Sequence, residues 1–145
     1  MSDRTPTSGH RRTRRDHASE LAEDYCEAIA ELADDAGDCR VVDLAERFGV
    51  SHVTVVRTVK RLERDGLVST EPYRPVRLTA KGRRLANACR ERHDVVYRFL
   101  LAIGVDPRTA AVDAEGLEHH VSRATLARFR AIADEPSPPP RAGAS

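Results

Sequence analysis

The run Val42-Asp43-Leu44-Ala45-Glu46-Arg47-Phe48-Gly49-Val50-Ser51-His52 decides the fold. Residues 42–48 read as a short amphipathic helix, and Gly49-Val50 supplies a turn. Ser51 is a good N-cap for a second helix over residues 52–64, because a serine oxygen can accept from an otherwise unpaired first-turn N–H. On that helix Val55, Val59 and Leu62 recur at i, i+4 and i+7 and face inward. Gly66 closes it. Leu67-Val68-Ser69-Thr70 and Val76-Arg77-Leu78 then read as two short strands, with Glu71-Pro72-Tyr73-Arg74-Pro75 turning between them. Helix, glycine-containing turn, helix and hairpin together describe a winged helix-turn-helix.

Upstream, Leu21, Tyr25, Ala28, Ile29 and Leu32 repeat at helical spacing and predict a helix over residues 18–36, ended by Gly37. Glu20, Asp24, Glu27 and Glu31 form a second, acidic stripe beside the apolar one. Downstream, Thr79 can cap a long helix to about Leu101, with Leu85, Cys89, Val96 and Leu100 on one face. Gly104 breaks it. Asp106-Pro107 pairs an N-cap with proline at the first helical position and opens a helix to about His120. Ser122 caps a last helix to about Ala133. The fold class is mainly α, with an N-terminal winged helix of three helices and a two-stranded wing at 18–78 and a helical region at 79–134. Residues 1–17 hold five arginines without hydrophobic periodicity and read as a disordered basic arm; residues 135–145, rich in proline, read as a disordered tail.

The chain has 145 residues, enough for a core without disulfide staples. Its three cysteines, Cys26, Cys39 and Cys89, form no Cys-x-x-Cys pair, which suits a reducing compartment and argues against a zinc knuckle. No apolar run is long enough to span a membrane, and no hydrophobic signal core follows the basic N-terminus. A cytoplasmic protein with no membrane partner is expected. The net charge of +1 conceals an asymmetry: residues 18–46 carry ten acidic side chains and one basic, residues 47–81 eight basic and three acidic. A basic block of that kind marks either a polyanion-binding surface or a solvated face.

A recognition helix presents polar side chains near its N-terminus to the major groove. Ser51, His52, Thr54, Arg57, Thr58 and Arg61 occupy that part of the second helix. Arg57 is the strongest candidate for a base edge, since arginine is the commonest partner of guanine O6 and N7. Arg61, Arg64, Arg74 and Arg77 are expected on phosphates, where contacts position without reading sequence.

Glu115, Glu118 and His119 stand at i, i+3 and i+4, so one helix would project all three from a single face. Asp24 and Glu27 share a face of the first helix, and His93 lies close to the apolar stripe of the long one. Taken singly each has a plainer reading: a solvated acidic pair, a hydrogen-bonded core histidine, surface charge. Carboxylates gathered beside an apolar seam repel one another unless a cation neutralises them.

Asp24-Tyr25-Cys26-Glu27, the winged helix, Glu91-Arg92-His93 and Asp113-Ala114-Glu115-Gly116-Leu117-Glu118-His119-His120-Val121-Ser122 together resemble the manganese-sensing MntR branch of the DtxR family of metal-dependent repressors. The resemblance covers about residues 18–133. It implies a homodimer that binds a palindromic operator in double-stranded DNA through the winged helix, with residues 79–134 as the metal-binding and dimerisation domain. It further implies two metals per subunit, held by Asp24, Glu27, His93, Glu115, Glu118 and His119. Oxygen and imidazole donors without thiolate suit Mn²⁺, although the same donors accept Fe²⁺, Co²⁺ or Zn²⁺. Iron-sensing relatives carry a sulfur ligand where this sequence has Glu115. Cys26 is expected to pack, and His120 to serve structure or support a ligand. The SH3-like domain that some members add is not expected in these 145 residues.

Three rival readings remain: a winged-helix regulator that ignores metals, a structural metal site that only stabilises the dimer, and a metal-dependent hydrolase using Glu118 and His119. The last lacks a Gly-rich phosphate loop, a nucleophile motif and a His-Glu-x-x-His run, so no enzyme is expected.

Overall fold

The computed structural model describes residues 7–136, with side chains from His17 onward. Six α-helices, a 3₁₀ turn and one two-stranded sheet follow in the order α1 Thr7–Ala36, α2 Val41–Phe48, α3 His52–Arg64, β1 Val68–Ser69, β2 Arg77–Leu78, α4 Ala80–Ala102, α5 Pro107–Leu117, the turn Glu118–His120, and α6 Arg123–Ala133. The mainly α class and the small wing stand as predicted. The chain divides into two compact units, Met1–Arg90 and Glu91–Ser145, and α4 runs through the division.

Helix α1 begins at Thr7, well before the expected start near Ala18, so residues 7–17 are helical where a disordered arm was predicted. No proline interrupts this stretch, which continues the helix beyond the end of its apolar stripe. The rest of the predicted arm, residues 1–6, and residues 137–145 of the predicted tail lie outside the described residues.

In the first unit, the core joins Tyr25, Ile29, Leu44, Val55, Val59, Leu62 and Val68. The Tyr25 ring stacks on Phe48 at 4.4 Å, fixing α1 against α2. The Arg40 N–H donates to the Asp43 carboxylate at the start of α2. Gly49, at φ 62°, ends α2 in the left-handed region that glycine enters at low cost, and Val50 N–H returns to the Ala45 carbonyl. This reversal aims α3. Ser51 caps α3 as expected, its oxygen accepting from Thr54 N–H at 3.2 Å. The wing pairs antiparallel in the register Val68 with Leu78 and Ser69 with Arg77.

Thr79 ties the wing to α4. Its hydroxyl donates to the Gly66 carbonyl at 2.6 Å and accepts from Gly82 N–H at 3.1 Å. Gly82 leaves room for the strand entering the wing: a Cβ there would fall 2.0 Å from the Leu67 carbonyl oxygen.

The second unit packs Val96, Leu100, Ala110 and Ala114 with Val105, Val121, Leu126 and the Phe99–Phe129 stack, whose centroids are 3.9 Å apart. Asp106 and Ser122 cap α5 and α6 by accepting from Thr109 and Thr125 N–H. Arg98 bridges Asp94 and Asp134, and Arg130 meets Glu91, so α6 is fastened to α4 from its far end as well. Helix α5 ends at Leu117, three residues short of the expected end. Residues 118–120 tighten into the 3₁₀ turn. Among the described residues, no helix is long and apolar enough to cross a membrane.

Candidate functional site

The exposed side of α3 carries Thr54, Arg57 and Arg61 at i, i+3 and i+7, with His52 at its first turn and Lys60 and Arg64 alongside. Ser51, His52, Thr54, Arg57 and Arg61 are exposed and Thr58 is half-buried. Ser51 and Thr54 share a hydroxyl contact of 2.9 Å, and the Thr58 hydroxyl donates to the Thr54 carbonyl. These three hydroxyls are therefore engaged within the helix and its cap. Among the described residues, Arg57, Arg61 and Arg64 enter no ion pair, whereas Arg47 pairs with Glu31 and Arg74 with Glu71 at 3.5 Å. Arg74 and Arg77 border a shallow cleft of about 280 Å³ on the wing, together with Ser69, Glu71 and Pro75. A helix with exposed guanidinium groups beside a basic wing suits a groove lined by phosphates.

Helix α1 carries Asp24 and Glu27 as predicted. Glu27 is half-buried, and its Oε2 accepts from the Cys89 thiol at 3.0 Å. Cys89 is fully buried. The sequence placed Cys89 on an apolar stripe and gave it no part in the site. A signal was present: Cys89 precedes the candidate ligand His93 by one helical turn. Cys26 is also buried, and burial, with Glu23 adding its charge, pushes its thiol up to about 11. Burial does the same to Cys39, also to about 11, with Asp43 contributing. Both behave as small core hydrophobes, as expected for Cys26.

In the second unit three of the four expected ligands converge. Glu118 is 3% exposed, a deep position for a carboxylate. His93 Nδ1, from α4, lies 3.1 Å from Glu118 Oε2, and His119 Nε2 lies 3.5 Å from Oε1. The carboxylate thus sits between two imidazoles. Glu115 does not join them: it stays exposed on the last turn of α5 and makes no hydrogen bond or ion pair among the described residues. Glu118, whose backbone is still in the right-handed helical region and whose N–H returns to the Ala114 carbonyl, is buried, whereas Glu115 one turn earlier is exposed. His120 is exposed at the end of the turn. A buried carboxylate flanked by two imidazoles is an oxygen and nitrogen donor set suited to a divalent cation, and its chemistry fits such an ion.

Two domain descriptions match in tandem: "Iron dependent repressor, N-terminal DNA binding domain" over residues 17–76, and "Iron dependent repressor, metal binding and dimerisation domain" over residues 79–143. The transcriptional regulator MntR of Escherichia coli O157:H7 is 50% identical over 122 residues, covering 84% of this chain and 79% of the relative. Its namesake in Salmonella typhimurium is 46% identical over 127 residues, or 88% of this chain and 81% of the relative. Among solved structures, a manganese-dependent transcriptional repressor in complex with manganese superposes with a TM-score of 0.69 at 34% identity, over 77% of this chain and 52% of that one. The chain therefore spans about half the length of that solved structure.

Proposed function

We propose, for a chain that belongs to the MntR branch of the iron-dependent repressor family, that it is a manganese-responsive repressor of manganese homeostasis genes. It acts as a homodimer on a palindromic operator. The observation that carries the metal half of this reading is Glu118, a buried carboxylate held between His93 and His119 within the segment matched by the metal-binding and dimerisation description. The DNA half rests on the exposed stripe of Arg57 and Arg61 on α3.

The proposed ligands are Asp24 and Glu27 on α1 and His93, Glu115, Glu118 and His119 in the second unit, for two Mn²⁺ per subunit. Two divalent cations would supply the positive charge that cancels the four carboxylates of this set. The residues themselves set its selectivity and its effect. Carboxylate oxygens and imidazoles favour hard and borderline cations, so cellular supply and geometry decide between Mn²⁺ and Fe²⁺, Co²⁺ or Zn²⁺. With their charge uncancelled, Asp24, Glu27, Glu115 and Glu118 oppose any arrangement that gathers them. A DNA-competent dimer that gathers them is favoured by the ion to the extent that it binds the ion better, typically by about 1–3 kcal/mol of coupling. Two recognition helices then meet half-sites about one helical turn, roughly 34 Å, apart.

The test is selection of duplexes from a random pool in the presence of Mn²⁺, followed by binding titrations with Mn²⁺ and with chelator. Binding should be lost with chelator and restored by Mn²⁺. Glu118→Gln and Glu115→Ala should each leave the dimer intact and abolish the Mn²⁺ response. Chelator-insensitive DNA binding would favour the metal-independent rival. An unaltered response in both variants would reject the ligand set.

A further inference from the structure

We infer that Cys89 is a metal-discriminating residue of the proposed centre: a thiol set against the Glu27 carboxylate, one turn before His93 on α4, that thiophilic divalent cations take as a ligand and Mn²⁺ does not. The inference rests on the metal-centre reading, because Glu27 and His93 belong to that ligand set.

The Cys89 sulfur lies 3.0 Å from Glu27 Oε2 and is fully buried. Its placement differs from that of the other two cysteines. Cys26 and Cys39 pack among apolar side chains in the core of the first unit, and burial keeps both protonated. Cys89 instead directs its hydrogen at a carboxylate assigned to the metal. The six proposed ligands offer only oxygen and nitrogen, so one adjacent sulfur changes which ions the site prefers. Thiolate favours Zn²⁺ and similar soft or borderline ions, whereas Mn²⁺ prefers carboxylate.

The exchange balances without redox chemistry. When a thiophilic ion is bound, the S–H bond breaks, its proton leaves to solvent, and the sulfur keeps the electron pair that forms the S–metal bond. Glu27 loses the thiol as a donor, and its Oε2 becomes available. With Mn²⁺ the thiol would keep its proton and take no part in holding the ion.

The test is a Co²⁺ titration of the full dimer, followed by absorption, in the native protein, Cys89→Ser and Cys26→Ser. Native protein and Cys26→Ser should show both the visible d–d bands of bound Co²⁺ and a near-ultraviolet sulfur-to-cobalt charge-transfer band. Cys89→Ser should keep the d–d bands and lose the charge-transfer band. Its Zn²⁺ affinity should fall by about tenfold or more while its Mn²⁺ affinity holds. Zinc-edge X-ray absorption of the native protein gives the same answer without a variant, since one sulfur should appear in the zinc coordination shell. A d–d spectrum without charge transfer, a band that survives in Cys89→Ser, or a sulfur-free zinc shell would each overturn the inference alone. Folded native protein showing no Co²⁺ bands at all would overturn the metal-centre reading and this inference with it.

Discussion

Replacing Gly82 by alanine tests how the DNA-reading wing is seated. The added Cβ would lie 2.0 Å from the Leu67 carbonyl oxygen, 3.0 Å from the Leu67 carbonyl carbon and 3.1 Å from Leu78 Cδ2. An unstrained carbon–oxygen contact needs roughly 3.3 Å, so the strand must retreat by about 1.3 Å. It is not free to do so. The Leu67 carbonyl accepts from Thr79 N–H at 3.0 Å, and the next residue, Val68, is paired with Leu78. Overpacking against mobile side chains costs typically about 1–3 kcal/mol, and a tethered backbone belongs at or above the upper end. Alanine recovers about 1 kcal/mol of helix propensity relative to glycine. The net loss is therefore about 2 kcal/mol or more, or roughly 4–8 °C in melting temperature for a chain of this size. Scanning calorimetry of Gly82→Ala beside Ala88→Gly, an exposed α4 control, would measure it. DNA affinity should fall as well, because the wing has been displaced. A melting temperature equal to or above that of the native protein would refute the reasoning.

Two further outcomes are expected. Arg57→Ala should relax preference at one base pair by about 1–3 kcal/mol, while Arg74→Ala should weaken all sequences alike and reduce the salt slope by about one; uniform weakening by Arg57→Ala would reassign it to phosphate. The buried thiols predict alkaline instability. Cys26 and Cys39 are raised from 9.0 to about 11, so both hold their protons more tightly folded than unfolded. Their contribution is complete below pH 9 and drains away as pH climbs towards about 11, an upper bound of roughly 2–3 kcal/mol for each thiol. Urea midpoints at pH 8 and pH 10.5 should therefore diverge more in the native protein than in the Cys26→Ala/Cys39→Ala double variant, and equal divergence would count against that origin.

Most helix boundaries were legible because side chains that satisfy unpaired N–H groups are chemically distinctive: Ser51, Asp106 and Ser122 each accept the bond their positions predict. The inward face of α3 was equally plain, since Val55, Val59 and Leu62 are all buried. The start of α1 was not, because residues 7–17 lack the apolar periodicity that marks a helix in sequence. The end of α5 was missed for a different reason. Periodicity continues smoothly through Glu115-Gly116-Leu117-Glu118, and only tertiary packing dictates that Glu118 turns inward while Glu115 stays in solvent. His93 was identifiable, but its nitrogen's approach to Glu118 depends on how α4 meets the 3₁₀ turn, which no local signal encodes. Cys89 looked apolar because its neighbours on the stripe are, and its polar partner comes from a helix 62 positions earlier.

The fastening of α6 matters for shortened forms of the chain. Phe129 covers Phe99, Arg130 reaches Glu91, and Asp134 closes the grip on Arg98. A premature stop near Ser122 would strip this cover and leave Phe99 and its neighbours on α4 facing water, without altering a single proposed ligand or base-contacting residue. Such a product would fail through stickiness and proteolysis, so a nonsense allele at that point should resemble a deletion of the whole regulator.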